Sequence, residues 1–180
     1  MSAAEFNLGR HCGITFARIK PASLFTVKEE DIETVACFAA KFRAKGFVFV
    51  YMKSSNGRAL FYVYHTDALE KHLCCQGNRA FLEERGYCCN SAEQAVGILK
   101  ERLQRDDFPH EIGIFLGYPL EDVKGFIADP TARTKLSGYW KVYADVDNKQ
   151  KLFERFRRCT ACICRKMQAG QSLTQIFQVG

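Results

Sequence analysis

No run of apolar residues in this 180-residue chain approaches the roughly 20 that a membrane-spanning helix needs. Its first residues, MSAAEFNLGRHCG, carry no basic segment followed by an apolar one, and so do not read as an export signal. The expectation is a cytoplasmic protein. In that reducing compartment the nine cysteines are thiols rather than bridges, and an odd number fits that state. Internal repeats and low-complexity segments are absent as well. No signature of a nucleic-acid-reading fold accompanies the basic residues, so nucleic acid is not an expected partner.

What the chain does have is enough apolar material for a core. Hydrophobic residues make up 47% of it, and its length suits one domain over residues 1–180. Charge is unevenly placed. Of the net +6, all is accounted for by the segment from Lys149 to Lys166, with seven basic residues against Glu154. Lys151, Arg155, Arg158 and Arg165 share a side of the helix this segment predicts, and an electrostatic partner belongs there. An acidic protein is the preferred partner; no membrane is expected.

Hydrophobic periodicity and punctuation predict an α+β fold: a small, mainly antiparallel sheet of about four strands, packed with helices and ending in a long C-terminal helix. A short helix is expected to begin near Cys12. Thr26 with Glu29 reads as a capping box that opens a helix to about Ala44. The aromatic and β-branched runs Phe47 to Met52 and Ala59 to His65 predict two antiparallel strands around Asn56 and Gly57. Ser91 with Gln94 is a second capping box. Gly138 to Ala144 predicts a strand, and Leu152, Phe156, Cys159 and Ile163 the buried stripe of the last helix.

The chemistry concentrates in FPHEIGIFLGYPLEDVKGFIAD, Phe108 to Asp129. Ile112 to Leu116 reads as a short buried strand bounded by glycines. Pro119 then suits a helix start, with Glu121 and Asp122 complementing its dipole. His110 and Glu111 would stand at the mouth of that strand. Cys12 at a helix N-terminus would have its thiolate favoured, with His110 as base and Asp145 or Glu111 as the orienting carboxylate. The order Cys, His, Asp is similar to that of papain-like cysteine enzymes, although the nucleophile signature of those enzymes is missing. That pattern would serve hydrolysis or acyl transfer. Alternatively, His11 and His110, with Cys12 and Glu111 beside them, supply ligand atoms suited to zinc, iron or haem. The cysteines of CTACIC (Cys159, Cys162, Cys164) and the pairs at Cys74 and Cys88 lack metal spacing and read as ordinary thiols.

The central stretch, together with GYWKVY at Gly138 to Tyr143, IKPASLF at Ile19 to Phe25 and LFERFRRC ending at Cys159, resembles an uncharacterised bacterial family of anaerobic Firmicutes, domain of unknown function 3793. The likeness covers nearly the whole chain. It implies a small cytoplasmic protein without an assigned activity, and a setting near flavodoxin and iron-uptake genes. A non-catalytic module that binds metal, haem or a redox partner such as a flavodoxin is therefore the second expectation.

Overall fold

The structure is a computed structural model and describes residues 1–105, 107–131 and 133–179. The chain forms two compact units: Met1–Ala68 with Arg158–Gly180, and Leu69–Arg157. Together they are an α+β protein with a three-stranded and a two-stranded antiparallel sheet. Among the described residues no helix is long and apolar enough to cross a membrane.

In the first unit, α1 runs Ala3–Phe16, with Ser2 as its N-cap accepting from the Glu5 amide. This cap starts the helix more than two turns before Cys12, not near it as expected. Leu8, Cys12 and Phe16 recur every four residues and enter the core together. The next segment, Ala22–Lys28, is strand β1, where a helix had been expected from Thr26. Phe25 and Val27 are buried and alternate with partly exposed Leu24 and Thr26, the period of a half-buried strand. The helix α2 begins only at Ile32 and ends at Arg43, after a 3-10 turn at Glu29–Asp31.

Strands β2 (Phe47–Ser55) and β3 (Arg58–His65) pair antiparallel, and β3 lies between β1 and β2. Both strands reach further than the apolar runs suggested. The connection is therefore a two-residue loop of Asn56 and Gly57, both with positive φ, the pattern of a type I′ hairpin. A register shift between Tyr51 and Lys53 accommodates the extra residue. One face of this sheet packs on an aromatic cluster: Phe16 stacks on Phe42 at 4.2 Å and meets Phe47 edge-on at 5.3 Å. A closing helix, α9 (Leu173–Phe177), carries a capping box of Ser172 and Gln175. Its first amide, on Leu173, donates to the buried Glu5 carboxylate at 2.9 Å, so α1 and α9 are tied by a charge-assisted bond. The sequence reading had no helix there.

The chain passes from β3 into α3 (Thr66–Leu73). The second unit contains α4 (Gln76–Glu83), α5 (Ala92–Arg102, capped by Ser91), α6 (Ile112–Phe115), α7 (Leu120–Ala128), and the short strands β4 (Leu136–Ser137) and β5 (Lys141–Val142). Helix α8 (Val146–Gln168) begins in this unit and ends in the first.

Candidate functional site

The stretch expected to be a strand, Ile112 to Leu116, is the helical turn α6. Its amides bond backwards, Ile112 to the Pro109 carbonyl and Leu116 to that of Ile112. Gly117, at φ +75°, ends it: the Tyr118 amide donates to the Gly113 carbonyl and the Gly117 amide to that of Ile114. These two bonds are a Schellman motif, in which glycine accepts the left-handed conformation without a Cβ clash. A short apolar run does not distinguish strand from buried helix by periodicity; the glycine after it decided the matter.

The turn brings α7 close. A Cβ on Gly113 would sit 2.7 Å from Val123 Cγ2 and 3.2 Å from the Tyr118 ring, so only glycine lets α6 and α7 approach this far. At the start of α7, Asp122 is 2% exposed. Its Oδ2 accepts the Trp140 indole N–H at 2.8 Å, and its Oδ1 accepts the amides of Tyr143 at 2.8 Å and Ala144 at 3.4 Å. Lys149, also buried, donates to Glu121 at 3.0 Å and lies 4.0 Å from Asp122. Thus Asp122 does more than complement a helix dipole. It fixes the chain around β5 and sets the plane of Trp140, on which Tyr118 stacks at 4.7 Å and Phe153 abuts edge-on at 4.5 Å.

These elements enclose a cavity of about 360 Å³ lined by Phe108, His110, Tyr118, Phe126, Trp140 and Lys141, among others. His110 meets Phe126 edge-on at 5.2 Å and lies 5.7 Å from the Phe108 ring. The Lys141 ammonium lies 5.4 Å from the Phe126 centroid and donates to the Pro130 carbonyl. The neighbouring Glu111 turns away and is buried; its Oε1 accepts from the Tyr87 hydroxyl and from Arg102, both at 2.9 Å. Burial and that carboxylate push the Tyr87 phenol well above its ordinary range.

The remaining expected site residues fall in both units. Cys12 belongs to the first unit and His110 to the second. Cys12 is fully buried, and loss of solvation drives its thiol far above the usual value. The helix N-terminus that was to favour its thiolate is at Ala3. Asp145 is exposed, adopts φ +51°, and accepts from the Asn148 side chain at 2.8 Å. His11 is exposed on α1. Among the described residues, no three His, Cys, Asp or Glu side chains converge as metal ligands would. Lys151, Arg155, Arg158 and Arg165 are all exposed on α8. Sequence reading missed Phe126, Tyr118 and Trp140 as a group. Their signal was present in the aromatic-rich central stretch and GYWKVY, but a solitary aromatic reads as core.

Residues 8–177 match the profile of a family described as protein of unknown function (DUF3793). The chain belongs to that family. No curated protein and no solved structure matches it. Membership in DUF3793 agrees with the resemblance carried by the central stretch.

The buried thiol has a neighbour with a measurable consequence. Lys20, buried between α1 and β1, has its ammonium drawn down to about 8 by loss of solvation. In the unfolded chain it titrates near 10.5. Between those values the unfolded state keeps a proton that the fold has released, so stability rises with pH. Cys12 acts in the opposite sense. Its folded thiol stays protonated while the unfolded one, near 9.0, loses its proton, so stability falls above that pH. Net gain is confined to the interval between pH 8 and pH 9, and it is on the order of 1 kcal/mol. Lys20→Met is expected to abolish the rise across this interval and leave only the fall above it, as read from urea midpoints taken from below pH 8 to above pH 9. Parallel curves for the two proteins would mean that Lys20 titrates normally.

Proposed function

We propose that this protein is a binding module for a planar, mainly apolar ligand held in the aromatic cavity of the second unit. One observation carries the reading: the rings of Phe108, His110, Tyr118, Phe126 and Trp140 line a single cavity of about 360 Å³. That volume lies in the range of small-molecule sites, which are predominantly apolar with a few fixed polar groups. The Asp122 carboxylate and the Trp140 N–H are already bonded to each other, so they order the wall rather than compete for solvent. Ring edges and faces presented together favour a flat aromatic body, through offset and edge-to-face contacts. Thiol chemistry at Cys12 and His110 draws no such support from a fully buried, protonated thiol.

The test is calorimetric titration with 2-naphthol. Saturable one-to-one binding is expected, weakened about tenfold in Phe126→Ala, the equivalent of ~1.4 kcal/mol. Absence of saturable heat would end this reading.

A second reading concerns α8. The exposure of Lys151, Arg155, Arg158 and Arg165 supports docking of an acidic protein such as a flavodoxin in a cytoplasmic, redox-related role, because complementary charge steers encounter and is salt-sensitive. Charge reversal at Lys151 and Arg155 should weaken low-salt binding to a flavodoxin at least tenfold while naphthol binding persists. Undiminished binding in the doubly reversed protein would exclude this face.

A further inference from the structure

The aromatic cavity is bordered by a second depression of about 380 Å³, and Phe108 and His110 line both. The two hollows differ in chemistry. The second is lined by Arg85, Arg102 and Arg105, with Asp107 and Glu111. The Arg102 guanidinium is committed, since it donates to Glu111 at 2.9 Å and to the Arg85 carbonyl, and lies 4.3 Å over the Tyr87 ring. Arg102 and Glu111 therefore neutralise each other. Arg85 is held in place differently: its guanidinium carbon lies 3.6 Å from the Phe81 centroid, and Nη1 donates to the Phe81 carbonyl at 3.1 Å. This half-buried cation has its orientation fixed by a ring face and one hydrogen bond, with the remaining donors of its fork uncommitted among the bonds of the described residues. Arg105 and Asp107 are exposed. The described lining thus offers one guanidinium, that of Arg85, already ordered and in no ion pair among the described residues.

We propose that the ligand of the aromatic cavity carries an anionic head group, a carboxylate or phosphate monoester, that lies in this arginine-lined depression while its ring system fills the cavity across the Phe108 and His110 border. The inference rests on the ligand-binding reading above and names the polar half of the same molecule. A planar guanidinium fork suits both anions, because parallel N–H donors match two oxygens of either group. Pre-ordering by the Phe81 ring lowers the entropy lost when the anion arrives. An ammonium head group would meet the Arg85 cation instead.

Four probes sharing one ring system separate the possibilities: 2-naphthol, 2-naphthoate, 2-naphthyl phosphate and 2-naphthylmethylamine, titrated by calorimetry at pH 7.5. At least one of the two anions is expected to bind tenfold or more tighter than 2-naphthol, and the amine more weakly than 2-naphthol. Whichever anion binds better identifies the head group. In Arg85→Gln the anion's advantage should collapse to less than threefold, with 2-naphthol affinity unchanged; Arg105→Glu, at an exposed position, should reduce the advantage without affecting folding. An anion no tighter than 2-naphthol, an amine tighter than both anions, or an advantage that survives both substitutions would overturn the head-group assignment while leaving the aromatic site standing. Failure of all four probes to bind would remove the site itself.

Discussion

Asp122→Ala is expected to destabilise the protein by about 3–5 kcal/mol, the cost of removing one partner from a buried, charge-bearing network. The carboxylate accepts three hydrogen bonds, from the Trp140 indole and the amides of Tyr143 and Ala144. Deleting it leaves those donors inside the protein without an acceptor, each a desolvation penalty in its own right. It also leaves buried Lys149 with Glu121, whose side chain is 52% exposed, and with exposed Asp145 as its remaining carboxylate neighbours. Asp122→Asn distinguishes charge from shape: its oxygen still serves the two amides, but its NH₂ then faces the indole N–H, donor against donor. An intermediate loss is expected. Glu121→Ala removes the more exposed partner of Lys149 and should cost no more than about 1 kcal/mol, since exposed pairs contribute little. Because Trp140 is the chain's single tryptophan, its emission in each variant reports the wall of the cavity directly. A red shift in Asp122→Ala under native conditions is expected along with the lower urea midpoint. A loss below 1 kcal/mol would show that Trp140 is placed by its ring contacts alone.

The same residue shows where sequence reading stops. An acidic residue in the first turn of a helix is adequately explained by the dipole, so nothing marked Asp122 as buried. Its role depends on Trp140 and Tyr143, some twenty residues away, and contacts at that separation leave no periodic trace. Elements whose cause is local were legible. The hairpin followed from Asn56 and Gly57, and α5 followed from Ser91, whose hydroxyl accepts the Gln94 amide at 3.2 Å. Strand β1 was hidden by a local pattern of the wrong kind. Thr26 and Glu29 have capping-box spacing, yet the Thr26 carbonyl accepts from the Asn7 side chain at 2.8 Å and from Arg58 at 3.3 Å, and pairing with β3 outweighs the cap. Local signals fail where a long-range partner offers the backbone more bonds.

A parallel omission concerns the core of the first unit, and it sets the second large effect. No sequence expectation singled out Phe42, although it lies seven residues beyond Val35 and so on the same face of α2. In the fold Val35 and Phe42 are the buried residues of α2. Phe42 is fully buried and touches four rings, stacking on Phe16 at 4.2 Å and meeting Phe47, Phe177 and Phe49 at 5.8, 6.1 and 6.3 Å. Truncation to alanine forfeits the transfer energy of the ring and leaves a hole that neighbouring rigid rings cannot fill, for an expected loss of about 3–5 kcal/mol. Phe42→Leu retains most of the apolar volume and should lose roughly half as much, because the ring contacts go but the cavity is smaller. Phe38→Ala, one turn earlier and only partly buried, should cost less than either. Urea denaturation followed by far-ultraviolet circular dichroism ranks the three. If Phe38→Ala proved the most damaging, the aromatic cluster around Phe16 would not be the centre of this unit, and the stripe on α2 would have to be drawn through Phe38 instead.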